Sequence, residues 1–180
     1  MQRNLFFTLS TLALPLALVA PSAHAQSTGL LPVRVKVGAL LPTQSAARSF
    51  AGSVVPSAEV DVRIPSFLGG SFASLGIQER SKNGGRLRVI PLTISRTFSP
   101  PNPAGAVTGN VYGGLGAGLY FLNGRSATSD SVSRTTLGGF AQIGCQTPSK
   151  FFIEAKYQLT AQRAAGISPN GLLVFVGRSF

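Results

Sequence analysis

From residue 33 onward, apolar and polar positions alternate at period two in eight segments, each bounded by Gly, Pro, Asn or Ser. That is the pattern of strands with one buried and one differently solvated face. The segments are residues 33–40, about 55–64, 71–78, 87–98, 110–121, 135–145, 151–160 and 172–180. In the first, Val33, Val35, Val37 and Ala39 oppose Arg34 and Lys36; in the second, Ala58, Val60, Val62 and Ile64 oppose Glu59, Asp61 and Arg63. In the seventh, Phe151, Ile153, Ala155, Tyr157 and Leu159 oppose Phe152, Glu154, Lys156 and Gln158. Pro91 interrupts the fourth, where it removes a ladder donor. The eighth places Leu172, Val174, Val176 and Phe180 on one face. An exposed apolar edge of that kind invites aggregation, and closing the sheet into a barrel removes it.

The connectors are of two kinds. "PSFLGG" and "TPSK" are tight, whereas "LPTQSAARSFAGS", "NGRSATSDSVSR" and "AQRAAGISPN" are longer and polar. Alternating short and long connectors is the habit of membrane barrels, with short turns periplasmic and long loops outside. "SPPNPAGAVTG" breaks the pattern by being long on the short side. The fifth segment, "NVYGGLGAGLYF", has glycines that invite a nucleotide-loop reading, but their spacing does not fit. Gly114 and Gly116 would need a glycine at Leu119, and Gly116 and Gly118 one at Phe121. At period two, Tyr112, Gly114, Gly116, Gly118 and Tyr120 instead share a face. On the inside of a narrow barrel, that stripe makes room for Tyr112, Tyr120, Phe140 and Phe152.

Composition narrows the setting. Arg3, an apolar run over residues 5–20 and Ala23-His24-Ala25 before Gln26 form an n-region, an h-region and a small-x-small cleavage site. Hydrophobic residues make up 44% of the chain and charged residues only 12%, yet no later apolar run reaches the 18 or so residues of a membrane helix. Only helices and closed barrels satisfy their backbone in lipid. The expectation is therefore all-β: an eight-stranded antiparallel up-and-down transmembrane β-barrel over residues 26–180, after a cleaved signal peptide over residues 1–25. Cys145 is the single cysteine and reads as a small apolar strand residue.

"VRVKVGALLP", "VIPLTIS", "VYGGLGAGLYF" and the C-terminal "VFVGRSF" together resemble the small eight-stranded outer-membrane β-barrels, the group around the barrel domain of outer-membrane protein A. The resemblance covers nearly all of the chain after the leader and implies residence in the outer membrane of a diderm bacterium. It implies that Val174, Val176 and Phe180 form the signal read by the outer-membrane insertion machinery. Arg178 departs from such signals, which carry an aromatic or apolar residue there; near a membrane edge its guanidinium can snorkel. No peptidoglycan-binding domain accompanies the barrel, so an anchoring role does not carry over.

Candidate chemistry is sparse. Small-barrel hydrolases typically use a histidine base, and the chain's one histidine, His24, leaves with the leader. Metal binding lacks ligands, and no cofactor or enzymatic activity is expected. Glu59 and Asp61 share a face with Arg34, Lys36 and Arg63, and with Glu154 and Lys156 they make a nearly balanced inward set. Unpaired buried charge is costly, so the expected role is an ion-pair network filling the lumen. In it, Arg34 and Lys36 pair with Glu59 and Asp61. The formal net charge of +11 sits elsewhere. Arg48, Arg80, Lys82, Arg86, Arg125, Arg134 and Arg163 fall in or beside the outer loops, opposed by Glu79 and Asp130. Such a rim can hold phosphates of lipopolysaccharide or other anionic surface polymers, or be ordinary solvated charge. Export and the absence of any nucleic-acid motif exclude nucleic acid. The expected function is structural or surface-interacting. Two rivals stand: a small channel or transporter for ions or apolar molecules, and a soluble lipocalin-like envelope binder. Alternation alone does not say which face is outside.

Overall fold

The computed structural model describes residues 32–64, 71–82, 84–99, 110–125, 131–164 and 166–180. The leader assigned to residues 1–25 lies outside them. Eight strands run β1 Val33–Pro42, β2 Val55–Arg63, β3 Ser71–Lys82, β4 Gly85–Phe98, β5 Asn110–Arg125, β6 Val132–Gln146, β7 Phe151–Thr160 and β8 Gly171–Ser179. One short helix, α1 Ser45–Ala51, sits between β1 and β2. Each strand pairs antiparallel with its sequence neighbours, and β8 returns to β1, closing an up-and-down barrel. Among the described strands no edge is left free, as the exposed Val174, Val176 and Phe180 require.

The period-two reading holds for every face. Val37, Val60, Leu75, Ile94, Leu115, Leu137, Ile153 and Val176 point outward and are exposed. Lys36, Glu59, Asp61, Glu154 and Lys156 point inward and are buried. The charged face is the lumen, and the lumen of a lipocalin-like binder would be apolar.

The strand ends differ from expectation. β3 and β4 continue to Lys82 and Gly85, and β5 to Arg125. At the upper end of β4 the pattern inverts, with Leu87 and Val89 buried inside and Arg86 and Arg88 outside, so the outward apolar run stops while the ladder persists. Glu79 still pairs with Arg88, and Arg86 with Arg125. Gly84 closes the β3–β4 turn at φ 77°, a left-handed value that glycine adopts without a Cβ clash. Pro91 lies mid-strand on the inward face, and the β3–β4 pairing skips from Leu75↔Leu92 to Gln78↔Val89 around it.

Glycines and aromatic rings pair across the wall. Gly38 faces Phe175, Gly116 faces Phe140, Tyr112 faces Gly144, and Phe152 faces Gly177. A Cβ on Gly116 would stand 2.3 Å from the Phe140 ring, and one on Gly144 2.4 Å from Tyr112. One on Gly177 would stand 2.5 Å from Phe152. Each ring occupies the space that a Cβ on the neighbouring glycine would take, which saves lumen volume. The β5 stripe thus makes room for Phe140, while Tyr112 and Tyr120 are accommodated by Gly144 and Gly138 of β6, a correction to the expectation that Gly114, Gly116 and Gly118 serve all the rings. Gly118 has a different cause: a Cβ there would meet Leu92 O at 2.2 Å and Thr93 Cα at 2.6 Å, so two backbones approach too closely for any side chain.

Candidate functional site

The lumen is filled in layers. At the end that carries Val33 and Phe180, the Arg34 guanidinium lies 4.4 Å from the Phe72 ring centre, 5.1 Å from Tyr112 and 5.4 Å from Phe152. It donates to Gln146 Oε1 at 3.3 Å, and Gln146 in turn donates to Ser179 Oγ at 3.3 Å. A planar cation stacked among rings is well held without a counter-ion. Arg34 is therefore not paired with Glu59 or Asp61, contrary to expectation, although it is in register with Asp61 across the β1–β2 ladder. Arg63 also stands apart: it is exposed at the end of the barrel that carries the termini and makes no ion pair with a carboxylate among the described residues.

The next layer is the ion cluster. Lys36 Nζ is 2.9 Å from Glu59 Oε1, 3.1 Å from Asp61 Oδ2 and 2.7 Å from Glu154 Oε1. Lys156 donates to Glu59, and the Tyr112 hydroxyl to Glu154 Oε2 at 2.9 Å. Both ammoniums lie against aromatic faces: Lys156 is 4.3 Å from the Phe140 centre and Lys36 5.1 Å from Phe175. Three carboxylates thus converge on one ammonium, and two lysines leave one negative charge over. Asp61 Oδ1 is buried with no hydrogen-bond partner.

Above the ions, Gln78 and Gln158 bond each other at 3.0 Å, and Gln158 Nε2 donates to Pro169 O at 2.7 Å. The far end is apolar: Leu40, Val55, Leu87, Val89, Leu122 and Leu173 are buried beneath Ala47 and Ala51 of α1 and Ala164 and Ile167 of the β7–β8 connection. The residues of α1 were read as part of a long polar loop; the small side chains of Ala47 and Ala51 instead let a helical turn sink into the mouth. Gly52 ends the turn at φ 83°, its N–H donating to Arg48 O at 2.9 Å. Gln44 ties the two lids together, accepting from Ser168 N at 2.8 Å and donating to Gly166 O at 3.5 Å.

The seven rim cations scatter. Arg80 turns inward and donates to Val54 O beside Gly52, bracing α1. Arg48 rides on α1, and Arg163 sits in the β7–β8 connection. Lys82, Arg86 and Arg125 line a concavity of about 510 Å³ with Asn123 and Ser131. Arg134 lines an adjoining one of about 240 Å³ together with Arg88. These five stand on strands, not in loops, because the strands outlast their apolar pattern. Arg88 was missed. Asn-Gly in the sequence is a strong hairpin signal, and the β3–β4 ladder brings Arg88 opposite Glu79. Glu79 sits in the hairpin tip beyond the apolar stretch. Partial burial alone would raise its carboxyl, but hydrogen bonds from Arg88 and Arg86 outweigh it and hold the group below the usual carboxylate range.

Val174 and Val176 are outward and exposed. Phe180 N donates to Val33 O at 2.8 Å. Arg178 lies 5.3 Å from the Phe151 ring centre and 5.5 Å from that of Phe180, so its charge is carried on two ring faces at the barrel's edge. Cys145 is a free, half-buried thiol on the outward face of β6. Among the described residues, no cluster of three or more His, Cys, Asp or Glu side chains has metal-binding geometry.

No family model and no curated protein matches the sequence. The fold is similar to the crystal structure of the N-terminal β-barrel domain of Pseudomonas aeruginosa OprF, with a TM-score of 0.53 at 14% identity, over 83% of this chain and 97% of that one. At that identity the likeness concerns the fold: an eight-stranded closed barrel of the kind found in OprF.

Proposed function

We propose that the chain is an outer-membrane β-barrel with a closed, non-conducting lumen, serving a structural or surface-interacting role in the envelope of a diderm bacterium. One observation carries the reading: the ions cluster inside, while an apolar band covers the outward faces of the strands, broken at its height by Arg96 of β4 opposite Leu115 of β5. On β5 the outward apolar run from Val111 to Phe121 rises about 26 Å along the barrel axis, taking ~3.4 Å per residue and a tilt near 40°. Outer-membrane barrels carry an apolar band about 25 Å tall. Exposed apolar surface that encircles a molecule far exceeds what soluble monomers tolerate.

The filled lumen favours a structural role over the channel reading. An arginine-aromatic layer, an ion cluster, an amide pair and an apolar lid succeed one another along its axis. In this reading the mouth beneath α1 faces the cell surface, and the outward Val174, Val176 and Phe180 are read by the insertion machinery. The resemblance to small outer-membrane barrels and the fold shared with the OprF barrel domain support the location.

The test is heat-modifiability. The protein is expected in the outer-membrane fraction, with faster gel mobility unboiled than boiled, and no step conductance in planar bilayers. A detergent-independent soluble protein without a mobility shift overturns the membrane reading. Discrete conductance with the shift intact overturns the closed lumen and favours the channel.

A further inference from the structure

The outward ladder between β4 and β5 changes character along its length. From the termini end it runs Phe98↔Gly113 and Arg96↔Leu115, then the apolar pairs Ile94↔Ala117, Leu92↔Leu119 and Ile90↔Phe121, then Arg88↔Asn123 and Arg86↔Arg125. Two arginines directly opposite each other on one sheet face repel. Glu79 does not resolve this, because it accepts from both Arg86 and Arg88 on the β3 side. Arg125 and Lys82 have no carboxylate partner among the described residues. Arg134, on β6, adds a further cation, and Glu79 is the only carboxylate near the group among the described residues. The cations therefore outnumber their partners on one side of the barrel, at the height where the apolar band ends. They line adjoining concavities of about 510 and 240 Å³ rather than projecting singly. Ile90 and Phe121 line the lower of the two, so the basic surface runs directly into the apolar one.

We infer that the β3–β5 face binds a phosphorylated lipid: phosphate oxygens at Lys82, Arg86 and Arg125, a further contact at Arg88, and acyl chains along Ile90, Phe121 and Leu119. The chemistry on both sides of the boundary selects this occupant. Guanidiniums in pairs suit phosphate oxygens bidentately, and an apolar strip beneath them suits acyl chains. A hydrophilic anionic polymer would leave that strip unused. A bound phosphate also supplies Arg125 with the negative charge that Glu79 gives Arg86. The inference rests on the outer-membrane reading, since acyl chains reach Ile90 and Phe121 only from a bilayer or micelle.

The test uses the full-length protein purified from the outer-membrane fraction in a nonionic detergent. Adducts are counted by native mass spectrometry after titration with dioleoyl phosphatidic acid, dioleoylglycerol or inorganic phosphate. The site variant is Lys82→Gln/Arg125→Gln, chosen because neither residue holds a structural ion pair. The control is Arg48→Gln/Arg163→Gln, which removes the same charge elsewhere at the mouth. With each exposed cation near a phosphate surface contributing appreciably, the site variant is expected to weaken phosphatidic acid binding at least about tenfold. The control and wild type are expected to bind alike, and dioleoylglycerol to bind weakly. Unchanged affinity in the site variant, or an equal loss in the control, overturns the site. Equal binding of dioleoylglycerol overturns the role of phosphate. Displacement of the lipid by inorganic phosphate at equal concentration overturns the lipid in favour of a simple anion site. The gel-mobility shift, measured on every variant, scores folding and the barrel reading separately: its loss in wild type refutes the membrane reading, whereas a site failure leaves it intact. If the double variant loses the shift, Arg125→Gln alone serves as the site variant.

Discussion

Replacing Lys36 with methionine removes the one ammonium on which three carboxylates converge. Its Nζ lies 2.9 Å from Glu59, 3.1 Å from Asp61 and 2.7 Å from Glu154. After Lys36→Met, Glu59 keeps Lys156 and Glu154 keeps the Tyr112 hydroxyl, but Asp61 loses the one ion-pair partner it has among the described residues. Leaving a buried charge uncompensated costs about 3–5 kcal/mol. With a urea dependence near 2 kcal/mol per molar, the unfolding midpoint should fall by roughly 2 M. The chain has no tryptophan. The readout is therefore the unboiled gel-mobility shift across a urea series in detergent micelles, supported by near-UV dichroism of the buried Tyr112 and Tyr120. Adding Asp61→Asn removes the orphaned charge and should recover about 1 kcal/mol or more, a coupling that a double-mutant cycle reads directly. A midpoint shift under about 0.5 M, or no coupling between Lys36 and Asp61, would refute the idea that the cluster is a tightly shared network.

Three further substitutions separate other parts of the account. Gly116→Ala drives a Cβ into the Phe140 ring and should cost about 1–3 kcal/mol, with partial rescue by Phe140→Leu; Gly118→Ala meets the β4 backbone and should cost more, with no side-chain rescue, both read by urea midpoint. Ala51→Asp places a charge in the apolar layer beneath α1 and should make residues 43–54 protease-sensitive while the mobility shift survives; loss of the whole barrel would show that α1 is not a separate lid. Deleting Phe180, which is 58% exposed and bonded through its N–H to Val33, should lower the amount inserted in cells while refolding of the purified chain into micelles changes little. An equal loss in both assays would mean the residue matters for stability and not for recognition.

The eight strands and their two faces were legible because alternation at period two survives wherever one side meets ions and the other meets apolar surroundings. Glu59, Asp61, Glu154, Lys36 and Lys156 could be assigned to one interior for that reason. Arg34 could not be placed among Phe72, Tyr112 and Phe152, which come from three other strands and meet only when the barrel closes. Arg86 and Arg125 lie just past the outward apolar run, and on β4 the pattern inverts there, with Leu87 and Val89 inward and Arg86 and Arg88 outward, so a search for outward apolar positions does not single out Arg88. α1 was hidden by its length: a seven-residue helix is too short for a 3.6-residue period to show, and its seat depends on Leu40, Leu87 and Leu173 from distant strands.

The pairing of β8 with β1 has a consequence in time. Its partners, such as Arg34 and Ser179, are drawn from the two ends of the barrel segment, so the final seam is also the one with the longest intervening chain. Closing so long a loop is entropically slow, and no local contact can substitute for it. Any subset of strands has two raw margins, and in lipid their open backbone groups each cost several kcal/mol. For a barrel proposed to span a membrane, a half-built wall is therefore not a resting point: entry into the bilayer and sealing of the ring must proceed together. Until β8 has been made, the earlier strands have nothing to close against, and the waiting chain carries its apolar faces through water. On the outer-membrane reading, the order of synthesis thus calls for a carrier of the unfolded chain and a catalyst of its last step.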